Sequence, residues 1–158
     1  MNSSIFKGFC FGLTSGIITT LGMMVGLNSG TGSKLVVLGG ILSVAIADSF
    51  SDALGIHVSE EADFNNSAKH VWTATISTFL SKILFSMTFI IPILLLDLKT
   101  AIFVSIIWGL SILAALSYFI AKEQKVKPYE VIGEHLSIAV LVIVATYLVG
   151  DWLATNFN

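Results

Sequence analysis

Asp48 and Asp52 stand one helical turn apart inside an otherwise apolar run, and His57, Glu60, Glu61 and Asp63 follow at once in ADSFSDALGIHVSEEAD. Carboxylates mixed with imidazole suit borderline ions such as Mn, Fe or Zn better than Cu(I). A carboxylate in an apolar segment also exchanges protons, and acids inside a membrane face an interior or a water-filled path rather than lipid. The chemistry to expect here is binding of a divalent cation in competition with protons.

The solvent for that chemistry follows from composition. Hydrophobic residues make up 55% of the 158 and charged residues only 11%, with a mean hydropathy of +0.91. A soluble domain of this length carries far more charge. The chain reads as an all-α integral membrane protein. All eight basic residues are lysine and the net charge is -2, so no basic stripe for nucleic acid exists. Cys10 is the sole cysteine, which excludes an intrachain disulfide.

A membrane-crossing helix needs about 20 mostly apolar residues. Five stretches qualify, near Phe9 to Leu27, Leu35 to Val58, Val71 to Leu96, Ala101 to Ala121 and Tyr129 to Leu148, separated by NSGTGSK, SEEADFNNSAKH, DLKT and KEQKVKP. No separator holds a soluble domain, so residues 1–158 are expected to form a single five-helix transmembrane domain. Lys7 ahead of an apolar run could suggest a signal peptide, but the run is long and glycine-punctuated and lacks a clear small-x-small cleavage site, so it is read as the first span. An N-in, C-out orientation places Lys7, Lys69, Lys122, Lys125 and Lys127 in the cytosol and only Lys34 and Lys99 outside, as the positive-inside rule requires.

Depth now follows from the helical rise. Asp52 lies roughly 9 Å and Asp48 roughly 15 Å inward from Val58 at the cytoplasmic end of the second span. Helical periodicity places Asp48, Asp52, Ser59 and Asp63 on one face with Glu60 at its edge, an acidic ladder running to the cytosol. His57 falls on the opposite side of the helix from Asp48. Lys82, in the third span, sits at nearly the depth of Asp48, where a charge pair would satisfy both groups without any transport. His57, His70 and His135 collect at the cytoplasmic ends of their spans, as do Glu123, Glu130 and Glu134. Glu134 is a candidate ligand there, although acids in the first turns of a helix also simply complement its dipole. In the first span, Gly12 and Gly16, then Gly22 and Gly26, have GxxxG spacing, which lets helices approach backbone to backbone within the chain or across a dimer. Met23 beside them offers a thioether to a metal, or packs in the core. Pro92 should kink or break the third span near its outer end.

These stretches, taken in order, resemble the vacuolar iron transporter family. GLTSGIITTLGMMVGL is similar to that family's first helix, GLxDGLxxxxxxxxGL; the run into SEEAD resembles its second helix; FSMTFIIPILLL resembles its proline-bearing third helix, and ATYLVGDWL its last. The resemblance implies a homodimer in the lipid bilayer that exports Fe2+ or Mn2+ from the cytosol in exchange for protons, along a path between the first two helices of both subunits. It implies a multi-pass protein, of the cell membrane in a prokaryote, that is not an enzyme and needs no cofactor beyond the transported ion. Ser15 stands where the family has an aspartate in its first helix, and Phe50 where it has a methionine. The family's long cytosolic insert is reduced here to SEEADFNNSAKH. Asp48 and Asp52 would then replace the missing carboxylate, giving a metal set of Asp48, Asp52, Glu60, Asp63, Glu134 and Met23, with Ser15 and Lys82 on the path or coupling protons.

Two other classes compete. A phosphotransferase acting on CDP-alcohols also carries DxxxD, but within a fuller pattern containing arginine, which this chain lacks. The stronger alternative is a non-transporting structural or interaction protein with a buried Asp48–Lys82 pair. The test separating it from a transporter is whether Asp52 and Ser15 share a polar cleft.

Overall fold

The computed structural model describes residues 3–157, of which six helices account for nearly all: α1 (Ser3–Thr31), α2 (Lys34–Glu61), α3 (Ala68–Thr88), α4 (Ile90–Leu95), α5 (Leu98–Gln124) and α6 (Pro128–Phe157). Five spans, Ala68–Leu95 counting as one, are long and apolar enough to cross a membrane. Large apolar side chains such as Leu35, Leu95, Phe103 and Leu141 stand exposed along them, an arrangement suited to lipid and costly in water. Four of the helices outrun the expected spans at both ends, and the third span does so at its start only, ending at Leu95, because polar terminal residues continue the same backbone hydrogen bonds beyond the apolar stretch.

The expected break near Pro92 falls at Phe89, between α3 and α4. The Phe89 N–H bonds Ser86 O at 3.3 Å, a tightened last turn. Pro92 then lies in the first turn of α4, where its missing N–H has no intrahelical partner to lose. The other boundaries follow local chemistry. Gly32 takes a left-handed φ of 57° between α1 and α2, a conformation that glycine adopts without strain. Ser67 caps α3 by accepting from the His70 N–H. Asp97 caps α5 by accepting from the Thr100 N–H at 3.0 Å, and that bond holds its carboxyl below the usual carboxylate range.

The chain divides into two compact units, residues 1–20 with 41–89, and residues 21–40 with 90–158. In the first unit α1 packs on α3 through Gly8, Gly12 and Gly16. A Cβ on Gly8 would meet the Ala74 carbonyl, one on Gly12 the Thr78 carbonyl, and one on Gly16 would lie 3.0 Å from Lys82 O. Hydroxyls of α3 bond back to α1: Ser77 Oγ donates to Ile5 O at 2.9 Å and Ser86 Oγ to Gly16 O at 3.4 Å. In the second unit Gly22, Gly26 and Gly30 meet α6, where a Cβ on Gly26 would sit 3.2 Å from Thr146 O and one on Gly30 3.3 Å from Gly150 O. Both glycine pairs of the first span therefore serve packing inside the chain, the first of the two roles their spacing allowed. The core beside them is small and apolar, with Ile17, Ala45 and Ala74 fully buried in the first unit and Met24, Ile93 and Leu113 in the second.

Candidate functional site

The first unit brings Asp48, Asp52, Ser15 and Lys82 together. Lys82 is completely buried, and its Nζ lies 2.6 Å from Asp48 Oδ2 and 2.8 Å from Ser15 Oγ while also bonding Asp52 Oδ2. An ammonium has three protons, so each is matched to one of these oxygens. α2 contributes the two carboxylates because residues four apart share a face. α1 contributes Ser15, and the glycine contacts that draw α1 onto α3 set the distance between that hydroxyl and the lysine.

Charge within the cluster does not balance. By formal charge the two aspartates and one lysine sum to -1 (-2 + 1 = -1), in helices of membrane-crossing length. The carboxylates are also not sealed away, since the Asp48 side chain is 32% exposed and that of Asp52 19%. Each has its second oxygen, Oδ1, outside the lysine contact. The expected pairing of Lys82 with Asp48 alone thus becomes a three-way bridge, and the second carboxylate that one lysine had not accounted for is held by the same ammonium.

The remaining candidates lie elsewhere. Glu60 is buried in a separate network, with Lys7 Nζ at 2.8 Å, His70 Nε2 at 3.1 Å and Asn66 Nδ2 at 3.0 Å from its carboxylate. This network ties α1, α2 and α3 of the first unit together. Asp63 has left the helix, because α2 ends at Glu61, and so it does not continue the ladder that helical periodicity placed it on. Its Oδ1 accepts from the Asn65 N–H and Nδ2, each at 3.0 Å, and these bonds lower the affinity of the exposed carboxyl for its proton. Glu134 and Met23 belong to the second unit. Glu134 is exposed on α6, and Met23 packs its Sδ against Gly40 and lines an apolar hollow with Gly22, Gly26 and Thr146. Among the described residues no group of three or more His, Cys, Asp and Glu side chains is arranged to hold a metal ion.

Sequence reasoning did not foresee the Lys7–Glu60–His70 network, although Lys7 and Glu60 both lie at the expected cytoplasmic end. It also left His57 without a partner, whereas His57 Nδ1 lies 3.0 Å from Thr75 Oγ1. The pairing had no signal in spacing, since it joins different helices. Comparisons of the chain with protein-family models, with curated proteins and with solved structures find no match.

Proposed function

We propose that the protein is a divalent cation transporter of the Fe2+/Mn2+ class that moves metal out of the cytosol in exchange for protons, in an N-in, C-out orientation. The observation that carries this reading is the uncompensated Asp48–Lys82–Asp52 cluster, with both carboxylates partly accessible. Two states of the cluster are electrically neutral, and neutrality is what a low-dielectric setting favours. One has a protonated aspartic acid, an aspartate and the ammonium (0 - 1 + 1 = 0). The other has a divalent ion, two aspartates and a neutral lysine amine (+2 - 2 + 0 = 0). Passing from the first to the second releases two protons and takes up one metal ion, so the exchange is electroneutral.

Mn2+ or Fe2+ flux into proteoliposomes, set against Zn2+, Co2+ and Mg2+, tests this directly. An imposed pH gradient should drive Mn2+ and Fe2+ movement, while a membrane potential clamped with potassium and valinomycin should leave the rate unchanged. Flux no greater than in protein-free vesicles for all five ions would exclude the reading. A second reading is favoured by one observation: every ammonium proton of Lys82 is already matched, as a purely structural bridge would have it.

The assembly we propose is a two-fold homodimer formed through α2 rather than α1. Ser43, Ala47, Ser51, Gly55 and Ser59 follow one another at four-residue spacing on α2 and all are exposed. Small residues at this spacing allow close crossing of two membrane helices, and a two-fold axis sets such a stripe against its own copy. Asp48 and Asp52 each come one residue after a member of the stripe, so the partner helix would cover the carboxylates from lipid. In a Cys10→Ser background, Ser51→Cys should form an intersubunit disulfide in the membrane and Leu141→Cys, exposed on α6, should not. Cross-linking at residue 141 alone would move the interface away from α2.

A further inference from the structure

A polar cavity of about 200 Å³ opens at the end of α2 in the first unit, lined by His57, Glu61, Asn66, Ala68, Val71 and Trp72. It is separate from the lysine cluster and shares only Asn66 with the Glu60 network, and His57 lies on the opposite side of α2 from Asp48. What distinguishes it is the direction of its hydrogen bonds. Thr75 Oγ1 donates its single proton to Val71 O at 2.8 Å. The contact of that same oxygen with His57 Nδ1 must then be an N–H of the imidazole donating to it. In the neutral imidazole, the form that can bind a metal, the lone pair is then on Nε2. Asn66 donates from Nδ2 to Glu60 O and to Glu60 Oε2, both at 3.0 Å. Because neither oxygen can donate, the amide orientation is determined and Oδ1 remains an acceptor. Glu61, exposed and one turn on from His57, has no partner among the described residues.

The cavity lining therefore supplies an imidazole nitrogen, a carboxylate and an amide oxygen as acceptors, and with the donors of His57 and Asn66 engaged by Thr75 and Glu60 the indole N–H of Trp72 is the one side-chain donor left among these residues. We propose that His57, Glu61 and Asn66 form a binding site for one divalent transition-metal ion, separate from Asp48 and Asp52 and independent of whether those two carry transport. A nitrogen with two oxygens selects the borderline ions Mn2+, Fe2+, Co2+ and Zn2+ over Cu(I) and over the hard ions bound by oxygen alone. Four-residue spacing of His57 and Glu61 puts both ligands on one face of α2, as paired metal ligands on a helix require. Thr75 supplies the outer contact that a ligating histidine needs on its second nitrogen. Trp72, edge-to-face with the imidazole at 4.7 Å between centroids, holds the ring plane.

Co2+ serves as the probe, because histidine ligation changes its visible absorption. Titrated into the full chain in detergent, Co2+ should fill a site whose affinity falls about tenfold or more in Glu61→Gln and in His57→Asn. In Thr75→Val it should fall by about tenfold, through loss of the outer contact alone. Glu61 is exposed, so Glu61→Gln leaves the fold unchanged by circular dichroism. Asp52→Asn should keep this Co2+ spectrum whether or not it loses metal flux, which separates the two sites. The site is overturned if the wild-type chain binds no Co2+, or if the bound equivalents and the spectrum are unchanged in both Glu61→Gln and His57→Asn.

Discussion

Lys82→Met should destabilise the protein by about 3–5 kcal/mol, the usual cost of removing one partner from a buried ion pair. Here the change leaves two carboxylates facing each other across the position that the ammonium filled, both within hydrogen-bond range of it before. Neutralising both carboxylates as well should restore most of the loss, so that Lys82→Met combined with Asp48→Asn and Asp52→Asn melts close to the wild type. The same substitution separates the two functional readings. If the position is a cation seat, Mn2+ should take the place of the missing ammonium and raise the melting temperature of Lys82→Met more than that of the wild type, since an ion that binds only the folded state stabilises it. A purely structural bridge predicts no such difference. Equal stability of Lys82→Met and wild type would remove the bridge from either account.

Asp52→Asn and Asp48→Asn should each reduce coupled metal flux to the level of protein-free vesicles while leaving the folded protein intact. Each variant retains one carboxylate for Lys82, so the cluster becomes a neutral pair with nothing left to attract a divalent ion. An amide also keeps the shape of the side chain and can accept from the ammonium, so the stability change should be about 1 kcal/mol, that of one altered hydrogen bond. Flux and melting temperature measured on the same preparation distinguish loss of transport from loss of fold. Wild-type flux in both variants would remove Asp48 and Asp52 from the path, and unfolding of both would make them structural.

The sequence by itself determined positions along helix axes. Rise and periodicity follow from backbone geometry alone, so the five spans, the shared face of Asp48 and Asp52 and the matching depth of Lys82 were legible without neighbours. Pro92 likewise carried its own signal, although the break came at Phe89 because a proline disrupts the turn before it. Tertiary structure decided how each helix is rotated toward the others. The same GxxxG spacing would have suited a dimer, yet contacts with α3 and α6 turned the glycines of α1 inward. Lys82 could have met one carboxylate and instead bridges two and Ser15, because the close approach of α1 to α3 carries Ser15 to the ammonium. Glu60 became buried through Lys7, 53 residues away in sequence, and Asp63 left its predicted face when α2 ended at Glu61. Such outcomes depend on side chains packing between segments distant in the chain, and periodicity within one helix carries no information about which neighbour its faces will meet.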